Sequence, residues 1–208
     1  MDELASFCYT ELLNNDYYDL SEIEPASTRY YSSLKTALGK TDETVYTDSD
    51  LTTSEGAEAV VYHSSSVNVI RILKNVTISG AAAVKNGCIL DLNGFTLTTR
   101  LGTGSDVHDK TFCIYGKKSN SALSVSNANS LIQATWDRIF LIGGVYTYSI
   151  ANPTDDRGAL NIGEYVDGRK CDVFLNDIHL TVEPIKKHGK WAKIPIVRGV
   201  ISFVSSLV

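Results

Sequence analysis

Between Asn68 and Arg100 short apolar runs alternate with pairs of turn-forming residues, and one six-residue phrase occurs twice: Leu73-Lys74-Asn75-Val76-Thr77-Ile78 and Leu92-Asn93-Gly94-Phe95-Thr96-Leu97. The phrase reads apolar, two turn formers, apolar, polar, apolar. It returns at Ile142-Gly143-Gly144-Val145-Tyr146-Thr147, at Leu175-Asn176-Asp177-Ile178-His179-Leu180 and at Val197-Arg198-Gly199-Val200-Ile201-Ser202. Such recurrence is the mark of an internal repeat. The anchors after each turn, Val76, Phe95, Val145, Ile178 and Val200, stand 19, 50, 33 and 22 residues apart, and a degenerate copy around Leu123 divides the widest gap. An average interval of about 25 residues is short for a strand–helix–strand unit of ~30 or more. It suits one coil of a β-solenoid, in which each strand pairs with its counterpart one coil along.

The pattern places strands at Ala59–Tyr62, Val67–Leu73, Val76–Ile78, Cys88–Leu92, Phe95–Thr98, Phe112–Tyr115, Leu123–Val125, Ile139–Ile142, Val145–Ile150, Leu160–Ile162, Val173–Leu175, Ile178–Val182 and Ile194–Phe203. Most are short, rich in β-branched and aromatic residues, and bounded by Gly, Asn or Asp. Those three residues tolerate the left-handed backbone that a sharp corner between strands requires. Alternation then points the anchors and the apolar residues three before them inward. Thr77, Thr96, Tyr146, His179 and Ile201 are expected to form one outward column.

Residues 1–57 do not carry the repeat. Ala5, Cys8, Tyr9 and Leu12 fall on one face of a short helix after Asp2, and Tyr30, Tyr31, Leu34 and Leu38 share a side of a second helix over 28–38, with Gly39 at its end. Helices this short need tertiary support, so 1–57 is expected to be a helical cap or attachment region docked on a β-helix spanning 58–208. The tyrosines concentrated there, Tyr17, Tyr18, Tyr30 and Tyr31, are expected to pack that region onto the first coil.

A net charge of −5 carries no electrostatic footprint for nucleic acid or an anionic membrane. No stretch reaches membrane-spanning length, and the acidic start, MDELASF, lacks the basic and apolar regions of an export signal. Cys8, Cys88, Cys113 and Cys171 are widely spaced without local ligand pairs, and His63, His108 and His188 are isolated, so neither a metal nor any other cofactor is expected.

VIRILKNVTISG followed by ILDLNGFTLTT resembles the opening coils of right-handed parallel β-helix proteins of the pectate-lyase-like superfamily, and more narrowly the coils of bacterial surface proteins and phage tail proteins. The resemblance is close over 68–99, loose over 112–206 and absent over 1–57. It implies a mainly β, right-handed parallel β-helix of five to six coils with an N-terminal helical cap. For function it implies a non-enzymatic structural or interaction protein, a bacteriophage virion component (tail, spike or decoration) assembled in the host cytoplasm as a homo-oligomer such as a trimer, or with virion neighbours. IPIVRGVISFVSSLV ends on an apolar repeat copy, and its Val200, Ile201, Phe203 and Val204 are expected to form an assembly face. Two other readings stand beside it. A truncated polysaccharide lyase or hydrolase would use Asp155 and Asp156 in the polar loop NPTDDRG, where paired carboxylates perturb each other. A cell-surface adhesin would hold a glycan on the outward Tyr146 and His179.

Overall fold

Runs rich in Val, Ile, Tyr and Phe become strands because these side chains fit a pleated, packed surface. The computed structural model describes residues 2–23, 27–40, 49–64, 67–103, 110–128, 130–134, 138–150, 159–162, 171–183, 186–187, 190–191, 197–198 and 201–203. The helices are α1 (Glu3–Phe7), which continues as a π-helical turn over Cys8–Leu12, and α2 (Leu34–Leu38). The strands are β1 (Ser27–Tyr31), β2 (Ala59–His63), β3 (Asn68–Ile72), β4 (Val76–Val84), β5 (Cys88–Asp91), β6 (Thr96–Thr103), β7 (Thr111–Gly116), β8 (Ala122–Ala128) and β9 (Ile132–Ala134). They continue with β10 (Arg138–Gly143), β11 (Val145–Ile150), β12 (Leu160–Ile162), β13 (Cys171–Asn176), β14 (His179–Glu183), β15 (Lys186–Lys187), β16 (Lys190–Trp191), β17 (Val197–Arg198) and β18 (Ile201–Phe203).

The fold is mainly β, with two large sheets built from parallel pairs. The first runs β1-β2-β3-β5-β7-β10-β13-β18, and only its β1, β2 and β3 pair antiparallel. From β3 onward Val69, Ile89, Cys113, Phe140 and Phe174 stand in register, beside a second row of Ile70, Leu90, Ile114, Leu141 and Leu175. The second sheet runs β14-β11-β8-β6-β9-β12-β17, with β4 also on β6. Here Val76, Leu97, Leu123, Tyr146 and Leu180 form one row. The main core lies between the sheets and includes Ile70, Leu90, Leu97, Ile114, Leu123, Leu141 and Tyr146.

The other face of the first sheet is covered too. Residues 2–23 lie along it, and Leu4, Ala5, Cys8, Leu12 and Leu20 pack on Val69, Ile89, Cys113, Phe140 and Phe174. Phe140 and Phe174 stack at 4.4 Å, and Tyr9 stands edge-on against both. Asp2 caps α1 through the Ala5 N–H and accepts a hydrogen bond from the Thr111 hydroxyl at 2.7 Å, pinning the helix start to β7. The helix expected after Asp2 is present, and it lies along the outer face of the first sheet.

The helix expected over 28–38 is corrected. Ser27–Tyr31 is a strand on β2, and only Leu34–Leu38 is helical, capped by the Ser33 hydroxyl. Thr28, Tyr30 and Tyr31 favour the pleated conformation once β2 offers an edge. Leu34, Ala37 and Leu38 then close over the main core beside β4.

Four of the five repeat copies fall at the corner between the first and second sheets. Asn93 and Gly94, Gly143 and Gly144, and Asp177 have positive φ, as a sharp corner demands. The fifth copy differs. Val197–Arg198 pairs with β12 in the second sheet and Ile201–Phe203 with β13 in the first, so its corner leads in the opposite sense.

Candidate functional site

Asp155, Asp156, Val200 and Val204 lie outside the described residues. Ile201 and Phe203 stand opposite Cys171 and Val173 through their backbones, and their side chains lie outside the description as well. His179 is exposed on β14 and stands in register with Val145.

Tyr146 corrects the expectation of an outward Tyr146–His179 pair. It is 1% exposed and belongs to the main core, whereas its neighbour Val145 is 44% exposed. The cause is a one-residue slip in the repeat alignment. Apolarity alone aligns the phrase at Ile142, but Ile142 stands in register with Tyr115 and through it Asp91, on the face covered by residues 2–23. A sheet buried on both faces reads as a continuous apolar run, so its parity is hidden, and one residue of slip turns every side chain over. The outward row is instead Thr77, Thr98, Ser124, Thr147 and Thr181.

Two polar sites stand out. In the first, Arg71 on β3 donates from Nε to Asp91 Oδ2 at 2.7 Å and from its terminal nitrogen to Asp19 Oδ1 at 3.0 Å. Asp91 also accepts the Asn93 N–H at 2.8 Å, and the Tyr62 ring lies 5.6 Å from the guanidinium. Burial, the largest influence, pushes the Asp91 carboxyl above its ordinary range against the pull of Arg71. Asp19 is held down at about 2, first by the Ser21 N–H and hydroxyl and then by Arg71. The cluster ties the N-terminal segment to the sheet and fixes the Asn93–Gly94 corner. All its charges are engaged, which makes it a clamp and leaves no group free for chemistry.

The second is an open groove of about 380 Å³ on the outside of the second sheet. Strand register explains it. Between the rows marked by Thr98 and Leu101, β6 turns with Thr99 and Arg100 alone. The rung before spends Ile78–Ala81 on the same corner, and the rung after spends the whole span from Ser124 to Ile132. A tight corner between two wider ones leaves a notch. Gly80, at φ +81, turns the wall on one side, and its carbonyl accepts the Thr99 hydroxyl at 3.2 Å. Val125, Ser126 and Ala128 form the other wall. Arg100 lines the notch, and no described residue gives its guanidinium a hydrogen bond or an ion pair. Sequence reading missed this site, because only the pairing reveals that rungs differ in corner length.

Among the described residues no group of His, Cys, Asp and Glu is arranged to hold a metal ion, and no helix is long and apolar enough to cross a membrane. No family model, curated protein or solved structure matches the chain.

Proposed function

We propose that the chain is a right-handed parallel β-solenoid with a non-enzymatic, structural role, a subunit that assembles with copies of itself in a larger body such as a phage virion. One observation carries this reading. The inward row Ile70, Leu90, Ile114 and Leu141 is buried, but its fifth member, Leu175, is 44% exposed. On the neighbouring β14, Leu180 and Val182, which continue the inward rows of the second sheet, are only half-buried. Apolar side chains that belong to a core and face water are favourable ground for another chain. The in-register rows and the clamped N-terminal segment support a rigid building block. The charged cluster in the first sheet holds the fold together and offers no catalytic pair. The phage context comes from the resemblance over 68–99.

Light scattering on the intact chain tests the reading. The expected mass is about three times 22.7 kDa or a larger defined multiple, reduced to the single-chain mass by Leu175→Asp. A stable monomer at the same concentration overturns it.

A further inference from the structure

The outer face of β7 grips the N-terminal segment at three points in turn. Phe112 and Ile114 on this strand face the main core, so alternation turns Thr111, Cys113 and Tyr115 outward, where they meet Asp2, Cys8 and Tyr18. The Thr111 hydroxyl donates to Asp2 Oδ2 at 2.7 Å, and the Tyr18 N–H donates to the Tyr115 hydroxyl at 2.7 Å. Between these anchors the Cys8 and Cys113 thiols are hydrogen-bonded to each other, fully buried in the cluster that holds Leu4, Leu12, Ile89 and Phe140. Cys8 closes α1, where its N–H bonds the Ala5 carbonyl, so the helix sets its position. Both thiols are free. Cys88 and Cys171 belong to the main core, on the other side of the sheet.

We propose that Cys8 and Cys113 form a redox-modification site, in which a disulfide made against a small disulfide oxidant such as oxidised glutathione staples the N-terminal segment to the first sheet. One cysteine, as its thiolate, attacks a sulfur of the oxidant, and a mixed disulfide forms as one glutathione leaves. The other cysteine attacks the protein sulfur of that mixed disulfide, closing the Cys8–Cys113 bond and releasing the second glutathione. Two protons and two electrons leave the pair, and the oxidant ends as two thiols. Thiols already in hydrogen-bond contact need only a short approach to reach the ~2 Å S–S bond. With both sulfurs fully buried, the first step takes place while the segment is lifted, and the second returns the pair to its place. Burial also pushes the Cys113 thiol well up, which keeps the closed pair protonated and unreactive. Oxidation is therefore slow, paced by lifting, and the closed pair carries no glutathione. The inference goes beyond the structural role and does not depend on it, because both cysteines belong to one chain.

The test is incubation of the intact, reduced protein with millimolar oxidised glutathione at pH 8 for a day. Peptide mass mapping without reductant is expected to find Cys8 joined to Cys113, with Cys88 and Cys171 still free. The staple closes a long loop of chain, so Tm is expected to rise by about 5 °C or more and to fall back on reduction with dithiothreitol. Amide hydrogen exchange over residues 3–13 is expected to slow about tenfold or more, because the stapled segment no longer lifts. Cys113→Ala is expected to lose both changes, and Cys88→Ala to keep both. If Cys113→Ala fails to fold, Cys8→Ala replaces it, and the wild-type map decides alone if neither folds. Four free thiols after the day overturn the proposal. So does glutathione retained on Cys8 or Cys113, a different pairing, or a cross-link that leaves Tm and exchange unchanged.

Discussion

Replacing Arg71 with methionine removes the one cation from a cluster that holds two carboxylates. The Arg71 side chain is 11% exposed and that of Asp91 5%, so the carboxylate left behind sits almost out of water with one N–H, from Asn93, still pointing at it. Breaking a buried pair from one side costs about 3–5 kcal/mol. The surviving Asn93 hydrogen bond argues for the lower end, about 3 kcal/mol at pH 7. The pH dependence carries the sharper signature. Asp91 is raised by burial even with Arg71 present, and losing Arg71 raises it further. A carboxyl whose folded pKa lies above its unfolded value favours the fold below the unfolded value, and that advantage is lost as pH rises through the folded one. The deficit of Arg71→Met is therefore largest at pH 7 and shrinks towards pH 4.5. Asp19 works in the opposite sense. Held down at about 2, it stabilises the fold above the ordinary carboxylate range and loses that effect only as pH falls towards 2, below the window compared. Adding Asp91→Asn to Arg71→Met removes the stranded charge and is expected to restore more than about 1 kcal/mol at pH 7. Urea unfolding followed by circular dichroism at pH 7 and 4.5 measures each quantity. A loss under 1 kcal/mol at pH 7, or the same loss at both pH values, refutes the clamp.

Three further outcomes follow from the packing. A Cβ at Gly143 would sit 2.8 Å from the Lys117 nitrogen at φ +67, whereas at Gly56 it meets nothing within 4 Å. Gly143→Ala should cost about 3 kcal/mol or more and Gly56→Ala only ~1 kcal/mol, as read by thermal unfolding. The Tyr146 hydroxyl is buried with no hydrogen-bond partner among the described residues, so Tyr146→Phe should stabilise the protein by about 1 kcal/mol in urea titration. All four cysteines are buried, and burial pushes the Cys88 thiol up to about 12. A thiol-reactive disulfide reagent at pH 8 should label none of them in the native protein and all four in guanidinium.

Corners and strands were legible where local chemistry decides them. Asn93-Gly94 and Asp177 announce left-handed backbone, and alternation around Val76 and Leu97 announces which side faces the core. Asp177 takes the left-handed corner before β14, and Asp91 holds Arg71 and the Asn93 N–H. Legibility ended where two partners act on one strand. Residues 139–142 are apolar on both faces because residues 2–23 cover the outer one, so nothing in the run Ile139-Phe140-Leu141-Ile142 tells inward from outward. That hidden parity is why Tyr146 points inward and not into the expected outer column. Tyr30, Tyr31, Leu34 and Leu38 share helical spacing, and only the edge offered by β2 makes Ser27–Tyr31 a strand. The groove depends on differences in corner length between rungs and has no local signature at all.

Register is open to direct measurement by pairing cysteines across rungs. With the native cysteines buried, Thr98→Cys with Ser124→Cys, and Thr147→Cys with Thr181→Cys, place thiols on neighbouring strands directly opposite each other. Thr96→Cys with Ser124→Cys is displaced by two residues. Directly opposite positions fall within reach of a disulfide, and a displaced pair lies ~7–8 Å apart, beyond it. Mild oxidation followed by peptide mass analysis should find the cross-link in both aligned pairs and not in the displaced one. Cross-linking of the displaced pair, or of neither aligned pair, would contradict the in-register stack on which the fold, the groove and the proposed role all stand.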